Sequence, residues 1–401
     1  MTRLRHPAPH HSSLTRRRWL ARCAAGAATL SSPAWIALPA FAQAPSKPRN
    51  ADAKTLRVVQ LLDTSGDQQE LARDYSTGVR LAFAELRQAG GPNTGRVPQL
   101  VSIATDGSAA SLNDALARVK GDPTQVALLG AVGGRLAAAS IAAAKQAQLE
   151  IAHVAPWLAD SRFDGEPSVF TIFASREAQI RHALGALATL GVAELGLVYP
   201  GKREEDAMHD ELAEISERLK LRARRLSVPP GQDVAAYAAS LRDDIPAFLL
   251  FLGGSIELAQ FTQGLTKQKL PRYIICLSDV DTTTLLQLNP GRSASIIFAQ
   301  VVPNPQSNSA PFVRSYRSTL KALFDEPPAP VSLAGYLAGH YAARVLGGLE
   351  AGASRSAVLA EFERRRAIDL DGYRIEFAPH QGRGSSFVSQ TMLGANGRLI
   401  G

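Results

Sequence analysis

The chain has 401 residues, of which 45% are hydrophobic, 20% charged and 6% aromatic, a composition typical of a globular protein with room for two separate cores. The 44 basic and 36 acidic residues give a net charge of +8, but six of the arginines lie in the first 42 residues, which contain no acid. Without these six, 38 basic residues are balanced by 36 acidic ones. This near-neutral balance does not favour a nucleic-acid-binding surface, and we predict no nucleic-acid partner.

The first 42 residues have the features of an export signal. Thr15–Leu20 (TRRRWL) fits the twin-arginine pattern, and Ala40 and Ala42 place small residues at a cleavage point. The stretch between them consists mostly of Ala and Gly, whereas a membrane-spanning helix needs about 20 strongly apolar residues. We therefore predict a signal cleaved after Ala42 and a periplasmic location; the alternative is a disordered basic tail.

Short apolar runs alternate with helix-length stretches in the first half of the remaining chain. The pattern predicts strands at Leu56–Leu62, Gln99–Ala104 and Val126–Leu129 and helices at Leu71–Ala89 and Leu112–Val119. Alternation of this kind predicts right-handed crossovers and a doubly wound parallel sheet. Ligands bind beyond the carboxyl ends of the strands in such sheets.

The same alternation begins again near Val169, and it predicts a second α/β lobe. Strands are predicted at Val169–Phe173, Leu195–Tyr199, Ala247–Leu252, Tyr273–Leu277 and Ser295–Ala299, with helices between them. After Pro303 the pattern predicts three helices and two closing strands, at Phe312–Phe324, Leu333–Leu349, Arg355–Arg365, Tyr373–Phe377 and Phe387–Leu393. The fold class predicted for the whole chain is therefore α/β.

The segment Val126–Pro156 contains the clearest candidate for a binding loop. Its first strand is followed by Gly130 and by the pair Gly133–Gly134, and an alanine-rich helix comes next. Backbone N–H groups at a helix N-terminus favour a carboxylate or phosphate. The spacing is not that of a dinucleotide-binding loop, and no P-loop lysine follows. A tight turn that merely packs the helix on the strand remains an alternative.

No pattern in the sequence predicts catalysis or metal binding. The histidines that follow the signal are not at metal-ligand spacing, and no complete Gly-x-Ser-x-Gly motif occurs. Cys276 lies alone in an apolar run, where we expect a buried and unreactive thiol. We therefore predict a protein that is not an enzyme and has no cofactor and no metal.

Several separated segments together resemble the type I periplasmic binding proteins of the leucine/isoleucine/valine-binding family, which serve ABC transporters. The resemblance extends from Leu56 to Ile400 and rests on the order and spacing of Asp63–Gly66 with Gly78, Arg87–Gly91, Val126–Pro156, Phe170–Ser175, Ala299–Pro305, and Gly335–Tyr336 with Tyr341–Ala343. It implies two Rossmann-like lobes joined by a multi-strand hinge. Lobe 1 would comprise residues 54–173 and 303–368, and lobe 2 residues 174–302 and 369–401.

The resemblance also implies which residues contact a ligand between the lobes. In the family, the ligand carboxylate meets backbone N–H and hydroxyl groups of lobe 1, and its ammonium meets an acid of lobe 2. The corresponding positions are Leu71, Gly133, Gly134, Trp157, Leu158 and Ala159 in lobe 1 and Ser255 and Asp279 in lobe 2. Trp157 could stack on the ligand or belong to the core or hinge. Asp279 corresponds to the family's acid only after a shift of one position.

The predicted function is that of the periplasmic substrate-binding component of an ABC importer, with an inner-membrane ABC permease as its partner. The expected ligand is a small carboxylate-bearing solute. Because glycines stand where the family has hydroxyls, two ligand classes stay open: a branched-chain or other amino acid, and an aromatic or aliphatic acid. A monomer is expected. The alternatives are a periplasmic ligand sensor for a membrane receptor and, less favoured, an α/β enzyme.

Overall fold

The computed structural model describes residues 55–66, 68–90, 97–267, 271–291, 294–324, 326–377, 382–394 and 398–401. The predicted export signal and its cleavage point after Ala42 lie outside these residues. Within the described ranges, every helix is too short or too polar to span a bilayer.

Strands and helices alternate through most of the chain. The strands are β1 (Arg57–Asp63), β2 (Gln99–Thr105), β3 (Gln125–Leu129), β4 (Ala152–Val154), β5 (Val169–Phe170), β6 (Glu194–Tyr199), β7 (Arg222–Ser227), β8 (Phe248–Phe251), β9 (Arg272–Cys276), β10 (Ala294–Gln300), β11 (Ile368–Leu370), β12 (Tyr373–Ile375), β13 (Ser389–Leu393) and β14 (Leu399–Ile400). The helices are α1 (Gln69–Gln88), α2 (Ala109–Gly121), α3 (Gly134–Gln146), α4 (Arg176–Thr189), α5 (Lys202–Arg218), α6 (Val234–Ser240), α7 (Ser255–Gly264), α8 (Thr282–Gln287), α9 (Pro311–Leu323), α10 (Pro330–Leu346) and α11 (Arg355–Glu363).

The first lobe is built on a five-stranded parallel sheet in the order β2-β1-β3-β4-β5. Successive side chains of β1 point to opposite faces, so Val58 and Val59 belong to different cores. Helices α2 and α3 cover one face, and α1, α9, α10 and α11 cover the other. Both faces are therefore buried, which explains the nearly continuous apolar runs of the central strands.

The second lobe is built on a seven-stranded sheet in the order β14-β13-β10-β9-β8-β6-β7. It is parallel from β10 to β7, whereas β13 and β14 are antiparallel. Helices α6, α7 and α8 pack on one face and α4 and α5 on the other.

Cys276 is fully buried, as predicted, and burial raises the pKa of its thiol. The prediction of an α/β fold with two doubly wound lobes is confirmed.

In the described part of the chain, three passages run between the two lobes, at residues 171–175, at residues 301–310, and at residues 376–377 with 382–388. The third passage is hydrogen-bonded to the first, since Gly384 N–H donates to the Thr171 carbonyl (2.8 Å), and within itself, since Glu376 N–H donates to the Gly384 carbonyl (2.7 Å). The hydroxyl of Tyr373 donates to the Val301 carbonyl (3.4 Å). The first and third passages are therefore joined directly, and the second is tied by Tyr373 to the strand that leads into the third.

One boundary differs from the expected division into lobes. We assigned residues 369–401 to lobe 2, but Leu370, Tyr373 and Ile375 pack in the core of the first lobe. They belong to the small antiparallel pair β11–β12, which contacts α10. The chain leaves the first lobe after β12 and joins the second sheet at β13.

Candidate functional site

A cleft of about 490 Å³ lies between the two lobes, a volume suited to a small molecule. From the first lobe it is lined by the N-terminal ends of α1 and α3 and by the loop after β4. From the second lobe it is lined by the first turns of α5 and by the loops after β8 and β9. Each of these segments follows the carboxyl end of a parallel strand, where doubly wound sheets bind ligands.

The glycine loop before α3 brings an uncapped helix N-terminus into the cleft. Gly133 has φ = +89°, and a Cβ atom there would lie 2.4 Å from Gln68 Oε1, so both the backbone conformation and the space require glycine. Among the described residues no side chain caps α3, and its first turn contains no acid. The positive end of the helix dipole is therefore available to an anion.

The first residue after this glycine pair adds a guanidinium group at the same place. Arg135 Nη2 lies 3.2 Å from Ser65 Oγ and 3.8 Å from Asp63 Oδ2. Asp63 is 1% exposed at the end of β1 and accepts the Ser65 N–H at 2.9 Å. Through these contacts Arg135 is held at the start of α3, where its guanidinium group forms part of the cleft wall.

The second lobe contributes an ion pair and a small apolar recess. Arg176, the first residue of α4, lies 3.5 Å from Asp279, and its backbone N–H donates to the Ala159 carbonyl of the first lobe at 2.9 Å. Beside this pair, a recess of about 160 Å³ is lined by Glu204 and Met208 of α5 and by Phe251, Leu252 and Leu277 at the ends of β8 and β9.

Four of the eight residues predicted as ligand contacts line the cleft: Leu71, Gly133, Gly134 and Asp279. The other four do not line it. Trp157 is 4% exposed, because its ring packs edge-on between Tyr75 and Phe173, with centroid distances of 6.3 and 5.1 Å. Its position matches the core or hinge alternative rather than stacking on a ligand.

Leu158, Ala159 and Ser255 lie just behind the cleft surface. The carbonyls of Leu158 and Ala159 accept hydrogen bonds from the guanidinium of Arg383, at 2.9 and 3.2 Å. Ser255 Oγ accepts the Asp281 N–H at 3.0 Å, and the preceding residue, Gly254, reaches the cleft instead. These three residues therefore stabilise the cleft walls through hydrogen bonds but do not line the cleft.

Sequence reasoning missed several residues that shape the site. Arg162, Arg176, Arg203 and Glu204 line the cleft, although none stands in a recognisable motif. Arg383 also gave no signal, because Gly382–Ser386 has the composition of a flexible loop. For Arg176 the sequence offered one signal, which is that the residue follows directly after the segment predicted to cross between the lobes.

The lobes also touch beside the cleft, where α1 meets α8. Thr283 Oγ1 donates to Asp74 Oδ2 at 3.1 Å, and both carboxyl groups at this contact, those of Asp74 and Asp281, are buried. Burial and the nearby charge of Asp281 raise the pKa of Asp74 to about 7. Burial likewise raises the pKa of Asp281. This part of the interface therefore changes its charge near neutral pH.

Residues 55–393 match the family model described as periplasmic binding protein. No curated protein sequence matches the chain. Among solved structures, an extracellular ligand-binding receptor from Verminephrobacter eiseniae has 18% identity and a TM-score of 0.75, covering 86% of this chain and 100% of its own.

Two further similar structures come from proteins described by their ligands. The branched-chain amino acid transporter substrate binding protein from Streptococcus pneumoniae, in complex with isoleucine, has 15% identity, a TM-score of 0.70 and coverage of 87% of this chain and 98% of its own. A fatty acid ABC transporter substrate-binding protein from Thermomonospora curvata has 15% identity, a TM-score of 0.70 and coverage of 86% and 91%. A protein described by branched-chain amino acids and one described by fatty acids therefore share this fold.

Proposed function

We propose that this chain, which belongs to the periplasmic binding protein family, is the substrate-binding component of an ABC importer and takes a small carboxylate-bearing solute into the cleft between its lobes. The family match over residues 55–393 supports a periplasmic solute-binding role. The importer and its inner-membrane permease are part of the proposal, as are the division into lobes near residues 173 and 303 and the cleavage of a twin-arginine signal after Ala42.

The observation that carries the proposal is the uncapped N-terminus of α3 inside the cleft. Gly133 and the exposed Gly134 line the cleft at the start of this helix, and Arg135 adds a guanidinium beside them. A carboxylate placed there gains charge-assisted hydrogen bonds and a favourable helix dipole. Binding needs no covalent step, and the protein acts by closing its lobes around the solute.

The binding function is tested by a thermal-shift screen of the mature protein against amino acids, aromatic acids and aliphatic acids. A ligand that binds only the folded state raises the melting temperature by mass action, so at least one class should give a concentration-dependent rise. If no compound of any class changes the melting temperature, the proposed function is wrong.

The location of the anion site is tested by Gly134→Asp. A side chain at this position meets open space, and an acid in the first turn stabilises a helix, so the variant should fold normally. Its carboxylate would occupy the place of the ligand's, and the ligand-induced rise should disappear. Gly165→Asp, at an exposed loop glycine that also has open space, is the matched control and should keep the full rise.

A further inference from the structure

Three acids line the cleft, and they differ in what their carboxylates already contact. Asp279 Oδ2 lies 3.5 Å from Arg176 Nη2, and Asp160 Oδ2 accepts from Arg162 Nε at 2.9 Å. Glu204, in contrast, has no hydrogen bond and no ion pair with any residue that the structure describes. Of the three carboxylates, that of Glu204 is therefore the one whose charge no arginine balances.

Glu204 lies in the first turn of α5, one helical turn before Met208. Residues four apart share one face of a helix, and both of these line the main cleft as well as the recess of the second lobe. Met208 is buried and Glu204 only half-buried, so the carboxylate lies at the rim of the recess. The positive end of the helix dipole stabilises a negative charge in this first turn.

The charged residues of the recess are one base and two acids. They are Arg176, Glu204 and Asp279, whereas its other side chains are apolar and belong to Met208, Phe251, Leu252 and Leu277. Arg203 lines the main cleft but not the recess. One negative charge is thus left in the recess, and a cation there gains a charge-assisted hydrogen bond. The start of α3, with Arg135, favours an anion instead, so the two walls of the site favour opposite charges.

We propose that Glu204 is the residue of the second lobe that holds a cationic group of the ligand, and that Asp279, the position indicated by the family resemblance, does not. The ligand is then a zwitterion. Its carboxylate lies against α3 and Arg135, its ammonium group donates to Glu204, and its apolar part enters the recess. This inference rests on the proposed function and deepens it, because it adds a second charge to the ligand and assigns its partner.

Matched pairs of compounds that differ only in the ammonium group test the charge of the ligand. Titration calorimetry on the mature protein would compare L-leucine with 4-methylpentanoate and L-phenylalanine with 3-phenylpropanoate. At least one amino acid should bind about tenfold or more tightly than its counterpart, because its ammonium group gains a hydrogen bond to a carboxylate. The inference is overturned if neither does. The proposed function then still stands if any carboxylate raises the melting temperature in the thermal-shift screen, and is wrong as well if none does.

The variant Glu204→Gln tests the residue itself. The amide keeps the size of the side chain and removes its charge, so the preference for the amino acid over its counterpart should fall about tenfold, while the affinity for the counterpart changes less than about twofold. Glu217→Gln makes the same change at an exposed residue near the other end of α5 and should keep the wild-type preference. An unchanged preference in Glu204→Gln would overturn the inference.

Asp279→Asn separates the two acids of the recess. It removes the carboxylate that Arg176 already contacts and leaves that of Glu204 in place, so it should lower the preference for the amino acid less than Glu204→Gln does. An equal or larger loss in Asp279→Asn would assign the ammonium group to Asp279 and overturn the inference, while the proposed function would remain.

Discussion

Arg383 connects the hinge to the cleft through one buried guanidinium group. The residue is 7% exposed, and it donates to the carbonyls of Leu158, Ala159, Asp160 and Phe173 at 2.9–3.2 Å and to Asp164 Oδ2 at 2.9 Å. It belongs to the third passage between the lobes, whereas its partners belong to the loop after β4 and to the first passage. The planar guanidinium group of Arg383 thus fixes the position of the loop in which Asp160 lines the cleft.

Replacing Arg383 by Ala should therefore destabilise the protein strongly. The change leaves the partly buried Asp164 carboxylate without its cation and removes the donor from four carbonyls, and the loss of one partner of a buried pair costs about 3–5 kcal/mol. Urea denaturation followed by circular dichroism measures the change. Arg374→Ala removes an exposed arginine paired with Glu376 and should cost less than about 1 kcal/mol; a similar loss in both variants would contradict the role assigned to Arg383.

The sequence predicted the glycines of the cleft better than its charged residues. Gly133 and Gly134, which line the cleft, could be singled out from the sequence because a glycine pair between a strand and a helix is typical of a loop that can hold an anion. Arg176 and Arg383 were not recognisable, because each acts through partners that are distant in the chain. A guanidinium in a loop rich in glycine and serine looks solvated until the fold brings carbonyl groups around it.

At the scale of elements, α1 and α10 are held together by unusually close backbone contact. A Cβ atom on Gly335 of α10 would lie 2.0 Å from the Tyr75 carbonyl oxygen, and one on Gly78 of α1 would lie 1.8 Å from that of Ser332. The two helices therefore approach each other through glycines at reciprocal positions. Because α1 also lines the cleft through Leu71, this packing sets the position of one cleft wall.

Gly335→Ala should lower the melting temperature markedly, since the added methyl group can be accommodated only if α1 and α10 separate. Overpacking of this kind costs about 1–3 kcal/mol. Gly185→Ala is the matched control: it lies inside α4, where an added Cβ meets open space, and alanine there should stabilise the helix by up to about 1 kcal/mol. A stabilising effect of both substitutions would show that the contact between α1 and α10 tolerates a side chain.

The elements that sequence patterns missed are the polar and the short ones. Strand β7 has the sequence RARRLS and is mostly exposed, because it forms one edge of the second sheet; charged edge strands lack the apolar alternation on which prediction depends. Helix α8 has six residues, too few for a periodic signal. The buried central strands were predictable because both of their faces are covered.

For the whole molecule, sequence order and spacing predicted two lobes, but only the fold shows how they meet. Asp74 from α1 and Thr283 from α8 form a contact that joins the lobes beside the cleft. Around it lie Glu70 and Arg73 of α1, Asp281 at the start of α8, Tyr316 of α9 and Glu326. Acids outnumber bases in this set, so ionisation of Asp74 opposes the meeting of the lobes, and protonation favours it.

This contact predicts a pH dependence of stability with a definite sign. The pKa of Asp74 rises from its ordinary value of 3.8 to about 7 in the folded protein, so between about pH 4 and 7 the folded state holds a proton that the unfolded state has lost. The contribution of Asp74 to the free energy of unfolding therefore falls as the pH rises through this window, by at most about 1.4 kcal/mol per pH unit, and is constant above it.

Asp74→Asn should remove this fall, because the amide keeps the acceptor for Thr283 and carries no charge. Denaturant titrations from pH 5 to 8 should show the variant gaining stability relative to the wild type as the pH rises, with little further gain above pH 7. Asp114→Asn, at an exposed acid of α2, should follow the wild-type curve. If Asp74→Asn also runs parallel to the wild type across the whole range, the carboxyl at the lobe contact does not titrate near neutrality, and closure of the cleft is not linked to its proton.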